Sequence, residues 1–411
     1  MLDSNDHRAI AQRLDLFHFQ EEAPGMVFWH PRGFTLYRLL ENAVRKHIEA
    51  EGYAEIRTPQ VLRKPVWEAS GHWQHFQAGM FTLADEEQPA AIKPVSCPGH
   101  VAFFGRRHPS YRELPLRYAE FGVVHRDEPS GTLHGLLRLR QFTQDDGHVF
   151  CTPEQAVPEV VAFCRGLAPF YRKFGFDELE VVLATRPAER AGDEASWDRA
   201  EDALRKALAE LGGPFTEQAG GGAFYGPKLE FVLKDRLGRA FSCGTIQFDL
   251  VMPRRFDIRY VDEHGEREVP VMLHRALYGS LERFMGMLLE HHGSKLPAWL
   301  CPDQVLVLPV GEAQVGFASE VLAELERAGL RASLDARKDA PRDPRRGKTL
   351  SRRIAEGHEA AVPFIAVVGA REAEARSITL RKREGAQLSC PLAEALEELR
   401  RECASPFAEA R

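Results

Sequence analysis

The sequence predicts an α+β protein in which an antiparallel sheet with flanking helices is followed by a small α/β domain. Three observations predict it. Strand-like runs are grouped over 115–150 and 224–261 instead of alternating with helices, which favours an antiparallel core over a doubly wound sheet. Helical patterns flank those blocks at 32–50, 153–174, 198–211 and 275–290. After two prolines in six residues, between Pro297 and Pro302, the rhythm changes to strand–helix–strand.

In chain order, Phe34, Leu36, Leu39, Leu40, Val44 and Ile48 recur near helical spacing. EIRTP (55–59) reads as a short strand stopped by Pro59, since proline removes a ladder donor. LRYAEFGVV and LRLRQFT read as paired strands joined by a loop containing Gly and Pro, and Asp235-Arg236-Leu237-Gly238 marks a turn between later strands. Beyond the boundary, QVLVLPV (304–310), a helix over 312–328, LRASLDA (330–336), PFIAVVG (363–369) and a helix over 391–403 complete the chain. The domains are accordingly expected at 1–300 and 301–411.

Composition narrows the function classes. The chain has 411 residues, with 54 Lys+Arg against 60 Asp+Glu for a net charge of −6, and 44% apolar and 28% charged residues. That is globular composition; disordered and collagen-like chains are excluded, and the length suits about two or three domains. No run of about 18 apolar residues is present, and MLDSNDHRAIAQRLD is too charged for a signal-peptide core. Seven cysteines at 97, 151, 164, 243, 301, 390 and 403 form no close-spaced pairs, so a reducing, cytoplasmic location is expected. Mild acidity argues against a general nucleic-acid coat protein, but residues 331–353 carry nine Lys/Arg and three Asp. Such a run reads either as a solvated loop or as a nucleic-acid contact.

Three features carry chemistry. Cys97 lies in KPVSCPGH, His148 in FTQDDGHVF and His274 in VMLHRALYGSLERF. A thiolate and two imidazoles would leave a zinc ion with its fourth position open. With the three positions 51 and 126 residues apart, the spacing alone favours a packing cysteine and two hydrogen-bonded histidines over a metal site. In FGVVHRDEPSGTLHGLLRLRQF, Arg126 suits bidentate pairing with phosphate and carboxylate, Phe142 suits stacking on a base, and Arg138 suits nearby charge; an ordinary hairpin with surface arginines is the alternative. In GSLERF, Gly279 allows close approach of a ligand and Arg283 an anion contact; a helix–helix contact is the alternative.

The long stretches LDLFHFQEEAPGMVFWHPRG (14–33), KPVSCPGH (93–100), AEFGVVHRDEPSGTLHGLLRLRQFTQDDGHVFC (119–151), GAFYGPKLEF (222–231), CGTIQFD (243–249) and PVMLHRALYGSLERF (270–284) resemble the threonyl-tRNA synthetases, which are class II aminoacyl-tRNA synthetases. The likeness runs from about Asp6 to the C-terminus. It implies a class II catalytic domain over 1–300 and an anticodon-binding domain over 301–411, and a homodimer whose interface is built by the motif ending at Pro59. It further implies that Cys97, His148 and His274 hold one Zn²⁺ per subunit, and that ATP with Mg²⁺ is bound by Arg126, Glu128, Arg138, Phe142 and Arg283. L-threonine would be met by Gln144, Asp146, Tyr225, Lys228 and Gln247, with His72 assisting transfer to tRNA(Thr).

Two departures stand out. Ser242 replaces the family's usual Gln before Cys-Gly-Thr, and the basic stretch 336–354 is longer than usual. The chain begins where the family's catalytic domain begins, so cis editing of Ser-tRNA is not expected. Alternatives are a paralogue passing threonine to a carrier protein or another acceptor, a duplicate resistance isoform, and a regulatory RNA-binding paralogue. Arg381, in SITLRKRE, is expected near anticodon bases.

Overall fold

The computed structural model describes residues 3–83, 87–336 and 349–407. They form two compact units: Phe19–Val27 with Leu40–His291, and the residues up to His18, Phe28–Leu39 and those from His292 onward.

The larger unit is organised by an eight-stranded sheet. Its strands are β1 (Ala54–Glu55), β2 (Leu116–His125), β3 (Gln141–Cys151), β4 (Leu179–Ala184), β5 (Thr216–Gln218), β6 (Lys228–Lys234), β7 (Ala240–Asp249) and β8 (Val271–Ala276), in the spatial order β5-β4-β6-β7-β8-β3-β2-β1. The inner pairs are all antiparallel; only β4–β5 and β1–β2, at the two edges, are parallel. Tyr118, Phe121, Val123 and Val124 give β2 its strand character, and β8 is buried along its whole length.

Helix α1 (Pro31–Ala50) buries Leu36, Leu40, Val44 and Ile48, whereas Phe34, on the same expected apolar stripe, is exposed. Helix α2 (Cys97–Gly105) begins at the cysteine singled out in the sequence. Helix α3 (Pro153–Arg172) opens with a capping box, in which the Thr152 N–H donates to Gln155 Oε1 at 3.0 Å. It buries Ala156, Val160, Phe163, Leu167 and Phe170 at i, i+4, i+7 spacing. Helices α4 (Glu194–Leu211) and α5 (Leu281–His292) complete the cover, and Phe284 of α5 stacks on Tyr278 with ring centroids 4.0 Å apart.

The smaller unit carries a five-stranded sheet of β9 (Val305–Pro309), β10 (Ala332–Leu334), β11 (Phe364–Val368), β12 (Ser377–Lys382) and β13 (Gln387–Pro391), ordered β10-β9-β11-β12-β13. β10, β9 and β11 are parallel, whereas β12 and β13 join antiparallel. Residues of α6 (Val315–Arg327) and α8 (Leu392–Glu402) pack on one apolar cluster, and Leu350 and Ile354 of α7 (Leu350–Glu359) on another with Ile365 and Val367. That two-sided burial explains why β11 is an unbroken apolar run.

The α+β core followed by an α/β domain agrees with expectation, but several boundaries move. The helical pattern over 275–290 is two elements: Arg275 and Ala276 end the wholly buried β8, and the helix starts only at Leu281. Gly279, at φ +80°, makes the break, because the left-handed conformation ends regular structure and is costly for other residues. In LRLRQFT the strand begins only at Gln141, after a tight turn at Gly135–Leu137. EIRTP contributes Glu55 alone to the sheet. Most of the basic 336–354 stretch lies outside the described residues, but its end forms α7.

Candidate active site

Sheet register assembles the site. Gln247 pairs with His274 and His274 with His148, so three side chains from β7, β8 and β3 stand in one row. The two-residue period of β3 puts Phe142, Gln144, Asp146 and His148 on one face, and that of β7 puts Thr245, Gln247 and Asp249 together. The loop leaving β2 supplies Arg126 and Glu128, and the start of α5 supplies Arg283.

A cavity of about 390 Å³ opens over this face. Eight of the expected residues line it: Arg126, Glu128, Arg138, Phe142, Gln144, Lys228, Gln247 and Arg283, joined by Ser242, Cys243, Thr245 and Gly279. The Arg126 guanidinium lies between two rings, 5.1 Å from the Phe142 centroid and 5.8 Å from that of Phe76, and donates to Pro94 O at 3.2 Å. Burial lowers its affinity for its proton, offset by the charges of Glu128 and Asp146. Glu128 accepts from Arg138 at 2.8 Å, so those two expected ligand contacts engage each other here. Arg283 is exposed, and its guanidinium makes no hydrogen bond or ion pair among the described residues. It is a free cation at the mouth of a polar cavity.

The anchor of Arg283 is built from two buried carboxylates that no sequence pattern singles out. Asp145 accepts from the N–H groups of Leu277, Tyr278 and Gly279, the last two at 3.0 Å. Glu282 accepts from the Thr143 N–H and from Ser280 Oγ. Burial raises the two carboxyls to about 6 and about 7 respectively. Together they tie β3 to the turn that starts α5.

Cys97, His148 and His274 come together beside this cavity, all three buried, with their donor atoms within 4.8 Å of one another. His148 Nε2 faces His274 Nδ1 at 3.0 Å. The remote nitrogen of each ring is also held: His274 Nε2 by Asp249 Oδ2 at 2.9 Å, and His148 Nδ1 by His100 Nδ1 at 2.9 Å. Desolvation keeps His148 neutral, as a ligand must be. The same burial, followed by the charges of Asp146 and Asp249, raises the Cys97 thiol well above its usual range, so a bound cation would have to displace its proton. One sulfur, two imidazoles and an outer shell of carboxylates fit a four-coordinate cation with one position open.

Asp146 Oδ1 lies 3.9 Å from His148 Nε2, on the cavity side of the cluster. Tyr225 donates to Gln247 Oε1 at 2.7 Å and stacks on His274 with centroids 4.9 Å apart. Its loop is fixed by Gly226, where a Cβ would fall 1.8 Å from Phe248 O. Lys228 is paired with Glu230 at 2.5 Å. His72 does not line the cavity; it is buried, bonded to Ser70 Oγ at 2.9 Å, edge-on to Phe224, and burial pushes its imidazole down to about 3.

An arginine-bearing hairpin and a free helix-start arginine on an antiparallel sheet, with a separate α/β unit, define a class II aminoacyl-tRNA synthetase core. Residues 81–292 match the tRNA synthetase class II core domain (G, H, P, S and T), and residues 304–402 match the anticodon binding domain. A threonine–tRNA ligase of Paraburkholderia xenovorans is 47% identical over 404 residues, which are 98% of this chain and 62% of that protein. The chain thus spans about three-fifths of the length of the curated relatives it matches. The solved RNA binding domain of threonyl-tRNA synthetase from Cryptosporidium parvum aligns with a TM-score of 0.92 and 38% identity, over 98% of this chain and 99% of that one. A putative threonyl-tRNA synthetase from Aeropyrum pernix aligns at 0.84 and 28%, over 99% and 98%. The chain belongs to the threonyl-tRNA synthetase family. Among the described residues no helix is long and apolar enough to cross a membrane.

Proposed function

We propose that this chain activates L-threonine with ATP to threonyl-adenylate and transfers the threonyl group to tRNA(Thr). The observation that carries the reading is the meeting of a cavity bearing Arg126 and Arg283 with the Cys97–His148–His274 cluster on one sheet face.

Arg126 holds the α-phosphate and the substrate carboxylate bidentately. Phe142 stacks on adenine, Glu128 leaves Arg138 to read the base edge, Arg138 covers the adjacent charge, and Arg283 takes the far phosphates. Magnesium bound with ATP would offset the charge of the leaving pyrophosphate. With both substrates so held, the threonine carboxylate attacks the α-phosphorus in line, and no protein nucleophile is required.

Cys97, His148 and His274 would hold a zinc ion, which would supply Lewis-acid binding for the amino and hydroxyl groups of threonine. Asp146 accepts the hydroxyl proton, Gln144 and Gln247 line the pocket, and Tyr225 and Lys228 close over the substrate. A pocket that demands the hydroxyl rejects valine far more strongly than an apolar pocket can. His72, neutral and close to Phe224, assists the second transfer. The anticodon is read by the α/β unit over 301–411, where Arg381 Nε is buried without a hydrogen-bond partner. The chain acts as a homodimer in the cytoplasm; support for the dimer is the exposure of Phe28 and of Phe34, whose ring is stacked on Tyr37.

The test is threonine-dependent exchange of pyrophosphate into ATP beside aminoacylation of tRNA, with and without zinc chelation. Both activities are expected, and both fall in Cys97→Ser. Exchange without aminoacylation would redirect the product to another acceptor; unchanged threonine affinity in Cys97→Ser would remove zinc from the reading.

A further inference from the structure

Behind His148, on the side away from the cavity, lies a chain of buried polar groups for which substrate binding has no use. His100 is one helical turn after Cys97 on α2, and its Nε2 lies 3.2 Å from Glu120 Oε2. Glu120, on β2, also accepts from Lys93 Nζ at 2.8 Å and from the Thr58 N–H at 3.0 Å. His100 and Lys93 have no solvent exposure and Glu120 has 3%. Glycines let the segments approach: a Cβ on Gly99 would meet Thr58 at 2.8 Å, and one on Gly122 would meet Ser96 Oγ at 2.3 Å.

Burying a lysine, a glutamate and a histidine costs several kcal/mol per charge unless each is paired, and a well-packed apolar trio would do as well for stability. The arrangement is better explained by its end point. His148 turns Nδ1 to His100 and Nε2 to Cys97 and His274. When Nε2 is left as a lone pair for a cation, one set of protons fits the remaining bonds: His148 protonated at Nδ1 and donating to His100 Nδ1, His100 protonated at Nε2 and donating to Glu120, and Glu120 ionised against Lys93.

We propose that His100, backed by Glu120 and Lys93, is a positioning residue that orients His148 and fixes Nε2 as its cation-binding atom. The inference rests on the zinc reading given above. Asp249 does the equivalent for His274, so each ligand imidazole has its own carboxylate, one direct and one relayed through a second histidine. Removing such an outer partner typically weakens metal binding roughly 10–100-fold.

The experiment measures zinc affinity by competition with a chromogenic chelator for the parent chain, Cys97→Ser, His100→Leu and His100→Asn, with the shift in melting temperature on adding ATP as a control for the fold. His100→Leu is expected to bind zinc roughly 10–100-fold more weakly, with its ATP-induced shift kept and the visible spectrum of its cobalt(II) form altered. His100→Asn, which keeps an acceptor toward His148, recovers part of the loss. Zinc affinity in His100→Leu equal to the parent's overturns the positioning role while leaving the metal site standing. A parent chain that binds no zinc, or binds it no better than Cys97→Ser, overturns the metal site and this inference with it. Should His100→Leu fail to fold, ¹⁵N-histidine spectra of the zinc-loaded parent decide: His148 as the Nδ1–H form and His100 as the Nε2–H form are expected, and the opposite form of His100 refutes the relay.

Discussion

Glu120 is a carboxylate almost without water, and burial alone would raise it. Bonds from His100, Lys93 and the Thr58 N–H outweigh burial and hold it down to about 2. Its folded value therefore lies below its unfolded one, so its contribution is full above pH about 4.5 and is lost as the pH falls toward 2. The shift corresponds to about 3 kcal/mol. The double variant Lys93→Met/Glu120→Gln removes both charges and keeps the shape. Urea unfolding between pH 5 and 2 should then be about 3 kcal/mol less pH-dependent than in the parent; parallel curves would refute the assignment. Arg126 is the other decisive side chain at this scale. It is held between Phe76 and Phe142, and in the proposed reaction that preorganises it for charge developing at the α-phosphate. Arg126→Gln should lower the kcat of pyrophosphate exchange roughly 10²–10³-fold while leaving the melting temperature close to the parent's.

At the scale of elements, β3 and β8 carry the site on one face and its support on the other. Arg275, beside His274, points away from the cluster and crosses Gly147 of β3, its guanidinium 4.3 Å from the Tyr53 ring centroid. A Cβ on Gly147 would fall 2.3 Å from Arg275 Nε. Gly147→Ala should therefore destabilise the chain by roughly 1–3 kcal/mol, measurable in denaturant melts, although the glycine touches no substrate. Asp145, also on the supporting face, gathers three consecutive N–H groups that begin the turn into α5. Asp145→Ala leaves those donors buried and unpaired. It should raise KM for ATP through Arg283 and cost roughly 1–3 kcal/mol per orphaned donor; an unchanged KM would show that α5 is held by its aromatic packing instead.

At the scale of the molecule, the proposed function separates amino-acid specificity from tRNA reading. A threonine pocket of the proposed kind demands a hydroxyl, which serine shares, so only the missing methyl discriminates, at about 1–3 kcal/mol. Serine should accordingly be charged at a kcat/KM roughly 10–200-fold below threonine, whereas valine falls much lower. An aminoacylation assay with the three amino acids checks this, and equal rejection of serine and valine would sink it. Arg381→Ala, in the α/β unit, should raise KM for tRNA(Thr) and leave tRNA-independent pyrophosphate exchange unchanged.

Gln144 and Asp146 are legible only through the resemblance, since nothing in their local sequence marks them as chemical. That they and His148 fall two positions apart is what places their side chains on one face of a strand. The resemblance then joined Cys97, His148 and His274, which are 51 and 126 residues apart and which no local rule connects. What local pattern misread was the run over 275–290, where a fully buried strand and a buried helix are equally apolar, and only the left-handed Gly279 separates them. His100, Glu120, Asp249, Asp145 and Glu282 stood in plain view inside the quoted motifs or beside them. Their roles were invisible because each depends on a partner from another strand or helix, and sheet register, not sequence spacing, sets those pairings. The sequence by itself determined which donors and cations the protein possesses and on which face of its element each lies. The tertiary structure alone decided which of them meet, because a buried charge persists only where the fold brings its counter-charge within hydrogen-bond reach.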